Sequence, residues 1–218
     1  MDQRLLHSCL MANLIHLVRH AEVHNPEHVV YGRLPHYGLS ELGRHQAADA
    51  ARYLASQPVV AVWSSPLQRA LETAGIIAAR HNLPVRVDED LTEWKLADGW
   101  EGIVWEDLPH ARPGELEAYL AHPWDLPFAA ESLAELGTRM VTAIKAIDER
   151  HRDGDVVVVS HQDPVQVARL IFGGTRLSEQ HTDKPMHGTV YTFQPGSDWT
   201  EAARYDPEKQ VEFPPQPR

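Results

Sequence analysis

Three short apolar runs, LIHLV (14–18), VVAVW (59–63) and DVVVVS (155–160), are continuous rather than alternating in character. That pattern predicts strands of a parallel sheet covered on both faces. Weaker segments at PVRVD (84–88) and GTVYTF (188–193) predict two more strands. Between them apolar residues recur at helical spacing. One stripe is Leu42, Ala47, Ala50, Ala51 and Leu54; a second is Leu67, Ala70, Leu71, Ala74, Ile77 and Ala78; a third is Leu133, Leu136, Met140, Ile144 and Ile147. Ser65 reads as the N-cap of the second helix, with Pro66 as its first residue and Gln68 as the reciprocal capping partner. Asp163 and Pro164 repeat the cap-then-proline signal and open a further helix toward Phe172.

Strands alternating with helices predict an α/β fold, a three-layer α/β/α sandwich with a mostly parallel central sheet. Residues 1–218 are expected to form one domain. Within it, 94–130 fits the alternation least, being rich in proline and glycine with tryptophans at positions 94, 100, 105 and 124. It is expected to be a helical insertion near the site, over one end of the sheet. A Pro-rich tail is expected from about 205 to 218.

Composition narrows the partners. Hydrophobic content of 43% and charged content of 23% suit a soluble globular protein. No apolar run reaches the roughly 18 residues that span a bilayer, so no membrane is expected. The first residues make no convincing export signal, because Asp2, His7 and Asn13 interrupt the apolar stretch; Met11 is an alternative start. The single cysteine, Cys9, then fits a reducing, cytoplasmic location. A formal charge of −11 argues against nucleic acid as a partner. An anionic small molecule remains compatible if arginines gather in one pocket.

They have a place to gather. In open α/β sheets ligands bind beyond the carboxyl ends of the strands. The three strong strands end in Arg19 and His20, in SSPLQR leading to Arg69, and in Ser160 and His161. If these strands are neighbours, two histidines and two arginines converge beside two helix N-termini, whose free N–H groups suit phosphate. Arginine's planar fork grips phosphate oxygens in a bidentate way. Arginine charge also disfavours protonation of a nearby histidine, whose reference pKa is about 6.5, and leaves a lone pair able to attack phosphorus. Phosphoryl transfer further needs an acid for the leaving oxygen. Glu93, after the PVRVD segment, is preferred over Glu22 and Asp163, and Arg33 in YGRLP is a candidate substrate-binding cation.

His16, His20, His24 and His28 recur every four residues, which on a helix would make a metal site. Pro26 and the strand-like run preceding it break any such helix, and no zinc-binding spacing occurs elsewhere.

Taken together, LVRHAEVHN, LSELGRHQA, WSSPLQRALETA, LTEWKLADGWEG, AESLAELGTRM and VVVVSHQDPV resemble the histidine phosphatase superfamily, in its phosphoglycerate mutase-like branch. The resemblance runs in family order over about residues 13 to 173. It implies a mainly parallel sheet between helices, no metal or other cofactor, and a phosphohistidine intermediate. By resemblance His20 is the nucleophile, Arg19 and Arg69 hold the phosphoryl oxygens, His161 completes the pocket and Glu93 donates the proton. Asn25 resembles the asparagine that follows the family's first motif, although it sits one residue closer to the histidine than in the mutases. Three positions depart from the family: Ala21 replaces a glycine, Val23 a threonine or serine, and Gln162 a glycine. The larger Gln162 either narrows the pocket or offers its amide to phosphate.

The expectation is therefore a metal-independent phosphatase acting on a small phosphorylated substrate, with specificity carried by residues 26–37 and 94–130. A phosphoglycerate mutase is the nearest alternative. True mutases of the family carry more basic residues and a longer insertion, whereas this insertion is short, acidic and tryptophan-rich. A non-catalytic phosphate-binding or scaffold protein would suit the changes at Val23 and Gln162, but not the retention of Arg19, His20, Arg69 and His161. Oligomeric state is left open, a homodimer being among the arrangements allowed.

Overall fold

Ile15–Arg19 (β1) runs through the middle of a six-stranded sheet, and all five of its residues are buried. The computed structural model describes residues 13–151 and 153–208. Cys9, Met11 and the tail beyond 208 lie outside the described residues. The other strands are Val59–Ser64 (β2), Val85–Val87 (β3), Asp155–Ser160 (β4), Val190–Gln194 (β5) and Thr200–Tyr205 (β6), in the spatial order β3-β2-β4-β1-β5-β6. The first four in that order are parallel. β5 returns antiparallel to β1, and β6 antiparallel to β5.

Alternation along the central strands sends side chains to two cores, as a pleated strand must. Ile15, Leu17, Val156 and Val158 face one core, which they share with α5 (Leu133–Arg150) and α6 (Gln162–Phe172). Val18, Val157 and Val159 face the other, shared with α1 (Glu41–Leu54) and α2 (Gln68–His81). The result is the expected three-layer sandwich with a mostly parallel sheet. The helical stripe Leu133, Leu136, Met140, Ile144 and Ile147 is buried in full. Between β3 and α5 the chain makes short 3-10 turns and two brief helices, α3 (Leu108–Ala111) and α4 (Glu115–Ala121). Trp94 and Trp100 of that stretch are buried in the core shared with α5, and Trp124 is exposed.

Both cap-then-proline expectations need correction. α2 begins at Gln68 with Leu67 in the cap position and no side-chain cap, and the Ser65 hydroxyl sits before it, 2.7 Å from His161 Nε2. α6 begins at Gln162 with His161 in the cap position, and Asp163 lies in its first turn paired with Lys184. β6 was not foreseen. Its sequence, TEAARY, lies largely exposed and has no apolar run to betray it. Tyr205, where the tail was expected to begin, still pairs with Val190.

At the amino end of β1 the buried His16 bridges neighbouring strands, its Nδ1 lying 2.9 Å from the Thr192 hydroxyl and its Nε2 3.2 Å from Asp155. Asp155 also accepts from the Leu14 N–H. His28, at the far end of the four-residue histidine rhythm, instead meets Glu106.

One helix start is fixed by a missing side chain. A Cβ on Gly43 would sit 1.9 Å from the Glu22 carbonyl oxygen, which accepts from the Ser40 N–H. The first turn of α1 therefore packs backbone to backbone against the segment that follows β1. Gly43→Ala should lower unfolding free energy by about 2 to 4 kcal/mol, since a backbone must move to admit the methyl group. Gly75, inside α2 with open space around it, makes the control: Gly75→Ala should raise stability by about 0.5 to 1 kcal/mol. Urea titration of both variants checks the pair.

Candidate active site

The ladder of the sheet builds the site. Arg19 of β1 pairs with Ser160 of β4, and the next residue in each strand is a histidine. The His20 amide donates to the Ser160 carbonyl at 2.9 Å, and the Ser65 amide to the Val159 carbonyl at 3.0 Å. The carboxyl ends of β1, β4 and β2 are thereby set side by side. The rings of His20 and His161 lie 5.1 Å apart, centroid to centroid.

The tautomer of His20 is set by its neighbour. His20 Nδ1 lies 2.8 Å from the Ala21 carbonyl oxygen, which only accepts, so Nδ1 carries the proton. The lone pair is left on Nε2, toward which Arg69 Nε donates at 3.3 Å. The Ser65 hydroxyl accepts from the Leu67 N–H at 3.3 Å and lies 2.7 Å from His161 Nε2. His161 Nδ1 is a buried atom with no hydrogen-bond partner among the described residues. Burial, then the charges of Arg69 and the other basic neighbours, holds both histidines well below the usual pKa of 6.5. Both are neutral at pH 7.

Two guanidiniums flank them. Arg69 is wholly buried, donates through Nη2 to the Gly32 carbonyl at 2.6 Å and lies over the Tyr31 ring. Arg19 donates through Nη1 to the Pro185 carbonyl and through Nη2 to His187 Nε2, both at 2.8 Å. Arg19 Nε and Arg69 Nη1 remain buried without a partner among the described residues. The two guanidiniums thus keep unspent donors beside a histidine pair whose rings lie 5.1 Å apart. Such an arrangement is complementary to a tetrahedral oxyanion.

Arg19, His20, Glu93 and Gln162 line one cavity of about 760 Å³. Glu93 is half-buried, with its carboxylate accepting from the Trp94 N–H at 2.7 Å. Burial, then the nearby Asp163 carboxylate, raises its pKa to about 7 against the opposing pull of that bond, Arg69 and Arg19. Burial alone would raise Asp163 too, but the Lys184 ammonium at 2.7 Å carries it below the ordinary value. Two carboxyls on one wall are thus driven apart, one poised to exchange a proton near neutrality and the other fixed as an anion.

The remaining expected residues differ in their engagement. Asn25 lines the cavity, yet both ends of its amide are bound to Val29, at 2.9 and 3.2 Å, so it braces its own loop. Gln162 reaches the Pro185 carbonyl at a long 3.4 Å. Arg33 is not among the lining residues; its amide donates to Glu101, and its charge contributes to the lowering of His161. Glu22 lines the cavity and is raised by burial. His187 and Lys184 were not anticipated. Both precede β5, whose antiparallel pairing of Val190 with Val18 delivers them to the carboxyl end of β1.

The Asp163–Lys184 pair is nearly out of solvent, at 14% and 15% side-chain exposure. Lys184→Met should cost about 3 to 5 kcal/mol by stranding the carboxylate, and the double variant Asp163→Leu with Lys184→Met should recover most of that loss. Denaturant unfolding of the three proteins reads the cycle.

Comparison with known proteins gives a consistent picture. A family profile described as Histidine phosphatase superfamily (branch 1) matches residues 15–204. An uncharacterised protein of Mycobacterium tuberculosis is 44% identical over 171 residues, covering 75% of this chain and 80% of that one. Phosphoserine phosphatase 1 of Hydrogenobacter thermophilus is 34% identical over 172 residues, covering 78% and 80% respectively. Among solved structures, mycobacterial glucosyl-3-phosphoglycerate phosphatase superposes with a TM-score of 0.75 at 25% identity, covering 87% of this chain and 97% of its own.

Proposed function

The chain belongs to branch 1 of the histidine phosphatase superfamily, and from that premise we propose that it hydrolyses a small phosphomonoester in two steps, through a phosphohistidine at His20 and without a metal. The observation that carries the reading is the 2.8 Å bond from His20 Nδ1 to the Ala21 carbonyl. It fixes the lone pair on Nε2, among Arg19, Arg69 and His161, before any substrate arrives.

In the first step the Nε2 lone pair attacks phosphorus and the bond to the ester oxygen breaks. Glu93, protonated, gives its proton to the departing alkoxide so that a neutral alcohol leaves. Arg19 Nε, Arg69 Nη1 and His161 Nδ1 donate to the three non-bridging oxygens and balance their charge as the group passes. In the second step water attacks phosphorus, Glu93 takes its proton, and the P–N bond breaks to return neutral His20 and inorganic phosphate. Every proton has a place on Glu93, so no step calls for a metal-bound hydroxide. Ala21 takes part only through its carbonyl, which a glycine would supply equally well.

His20→Ala should fold as the parent does and lose phosphatase activity by about four orders of magnitude or more. In rapid-quench experiments acid-labile phosphate should appear on the parent and not on the variant, with the parental rate unchanged by EDTA. Full activity in the variant would sink the nucleophile assignment.

The pH dependence has a definite sign. Phosphorylation needs neutral His20, available above its depressed pKa, and protonated Glu93, available below about 7. Single-turnover phosphorylation by an alkyl phosphate should therefore fall as pH rises through about 7. The limb should vanish in Glu93→Gln, and also in the parent with 4-nitrophenyl phosphate, whose leaving group needs no proton. A limb that persists in both would remove Glu93 from the role of acid.

A further inference from the structure

The cavity that His20 lines is much larger than a phosphoryl group. At about 760 Å³ it lies within the roughly 300 to 1,000 Å³ that encloses whole small ligands. Its outer wall is built by Tyr31, Trp100, Trp105, Leu116, Tyr119 and Leu120. All but Tyr31 come from the stretch between β3 and α5, where Trp100 packs edge-on against Tyr119. Rings and branched chains gathered in this way favour a partner whose own apolar surface leaves water on binding.

Charge on the wall excludes the opposite kind of partner. Its carboxylates are Glu22, Glu93 and Asp163; its permanent cations are Arg19 and Lys184. Arg19 belongs to the phosphoryl end, where it is tied to Pro185 and His187. Lys184 is spent, donating to Asp163 at 2.7 Å and to the Tyr119 hydroxyl at 2.8 Å. Among the lining histidines, burial keeps His181 and His187 neutral, and His28 lies against Glu106. A carboxylate on the leaving alcohol would find both lining permanent cations already engaged, with the Glu22 carboxylate opposing it.

Resting on the phosphatase reading above, we propose that the phosphomonoester accepted here carries an uncharged aromatic or bulky apolar alcohol, in preference to a carboxylate-bearing one. Residues 94–130 then act as the specificity wall, and the Asp163–Lys184 pair occupies the lysine that lines it.

Two phosphonates that cannot be hydrolysed make a matched test: 2-phenylethylphosphonate and 2-carboxyethylphosphonate differ only in phenyl against carboxylate. Isothermal titration of the full chain should give a Kd lower for the phenyl ligand by about tenfold or more. Equal or tighter binding of the carboxylate ligand would overturn the proposal. Leu120→Lys adds a cation to the wall at a residue already 39% exposed, so folding is not at stake. It should shrink the preference by about fivefold, and an unchanged preference would count against the wall as the source of selectivity. Because binding is read without turnover, the two readings separate. Tight binding of the phenyl ligand with no phosphate released from 2-phenylethyl phosphate would overturn the phosphatase reading alone.

Discussion

The hydrogen bond from the His20 amide to the Ser160 carbonyl continues the β1–β4 ladder one step past the strands themselves. Everything at the site inherits its position from that ladder. A slip of one residue in β1 would turn the ring of His20 toward the opposite layer and bring a neighbour's side chain into its place. The geometry is thus held by the backbone pairing of a fully buried strand, and the apolar residues of β1 and β4 contribute to the site by fixing a register. Gly43 serves the same end from outside the sheet, letting α1 rest on the carbonyl of Glu22 and holding the chain where it leaves β1.

Within this frame a chain of net charge −11 keeps two guanidiniums out of water. Burying cations costs free energy unless they are paired or well bonded. Here the cost is offset in pieces: the Tyr31 face and the Gly32 carbonyl for Arg69, the Pro185 carbonyl and His187 for Arg19, and the field of Glu93 for both. The compensation is partial, since each guanidinium retains an unspent N–H. Burial, and then the same positive field, keeps three neighbouring imidazoles neutral. Histidines that would titrate near neutrality on a surface are here fixed as lone-pair carriers.

Much of the frame was legible in the sequence because it rests on periodicity. Continuous apolar runs gave the central strands to within a residue or two, and the 133–147 stripe gave α5. The helix starts were misjudged: Ser65 and Asp163 have the right chemistry for caps, but their side chains lie against His161 and Lys184, partners distant in sequence. His187 and Lys184 escaped notice because their arrival depends on β5 running antiparallel to β1, which no local pattern in GTVYTF encodes. His16 and His20 could not be told apart by spacing. Both are buried, and only their places at opposite ends of β1 make one a strand bridge to Thr192 and Asp155 and the other a member of the site. Glu93 had no distinguishing signal beyond its position after a strand and the family resemblance, since its raised pKa arises from an enclosure built by residues distant in sequence.

Arg69 joins two structural tasks in one side chain. Its Nη2 and its flat face are committed to Gly32 and Tyr31, while Nε points at His20. The segment after β1 is therefore tethered to the same rigid fork that faces the reacting ring, and a shift of either end displaces the other. A change to residues 31–32 that never meets a ligand would still alter the aim of the guanidinium. Diversification within this fold is consequently unequal. The exposed Leu120 and Trp124 of the stretch between β3 and α5 can change with little effect on His20, whereas the loop carrying Tyr31 and Gly32 is tied to the arginine and is the poorer place to graft a new specificity.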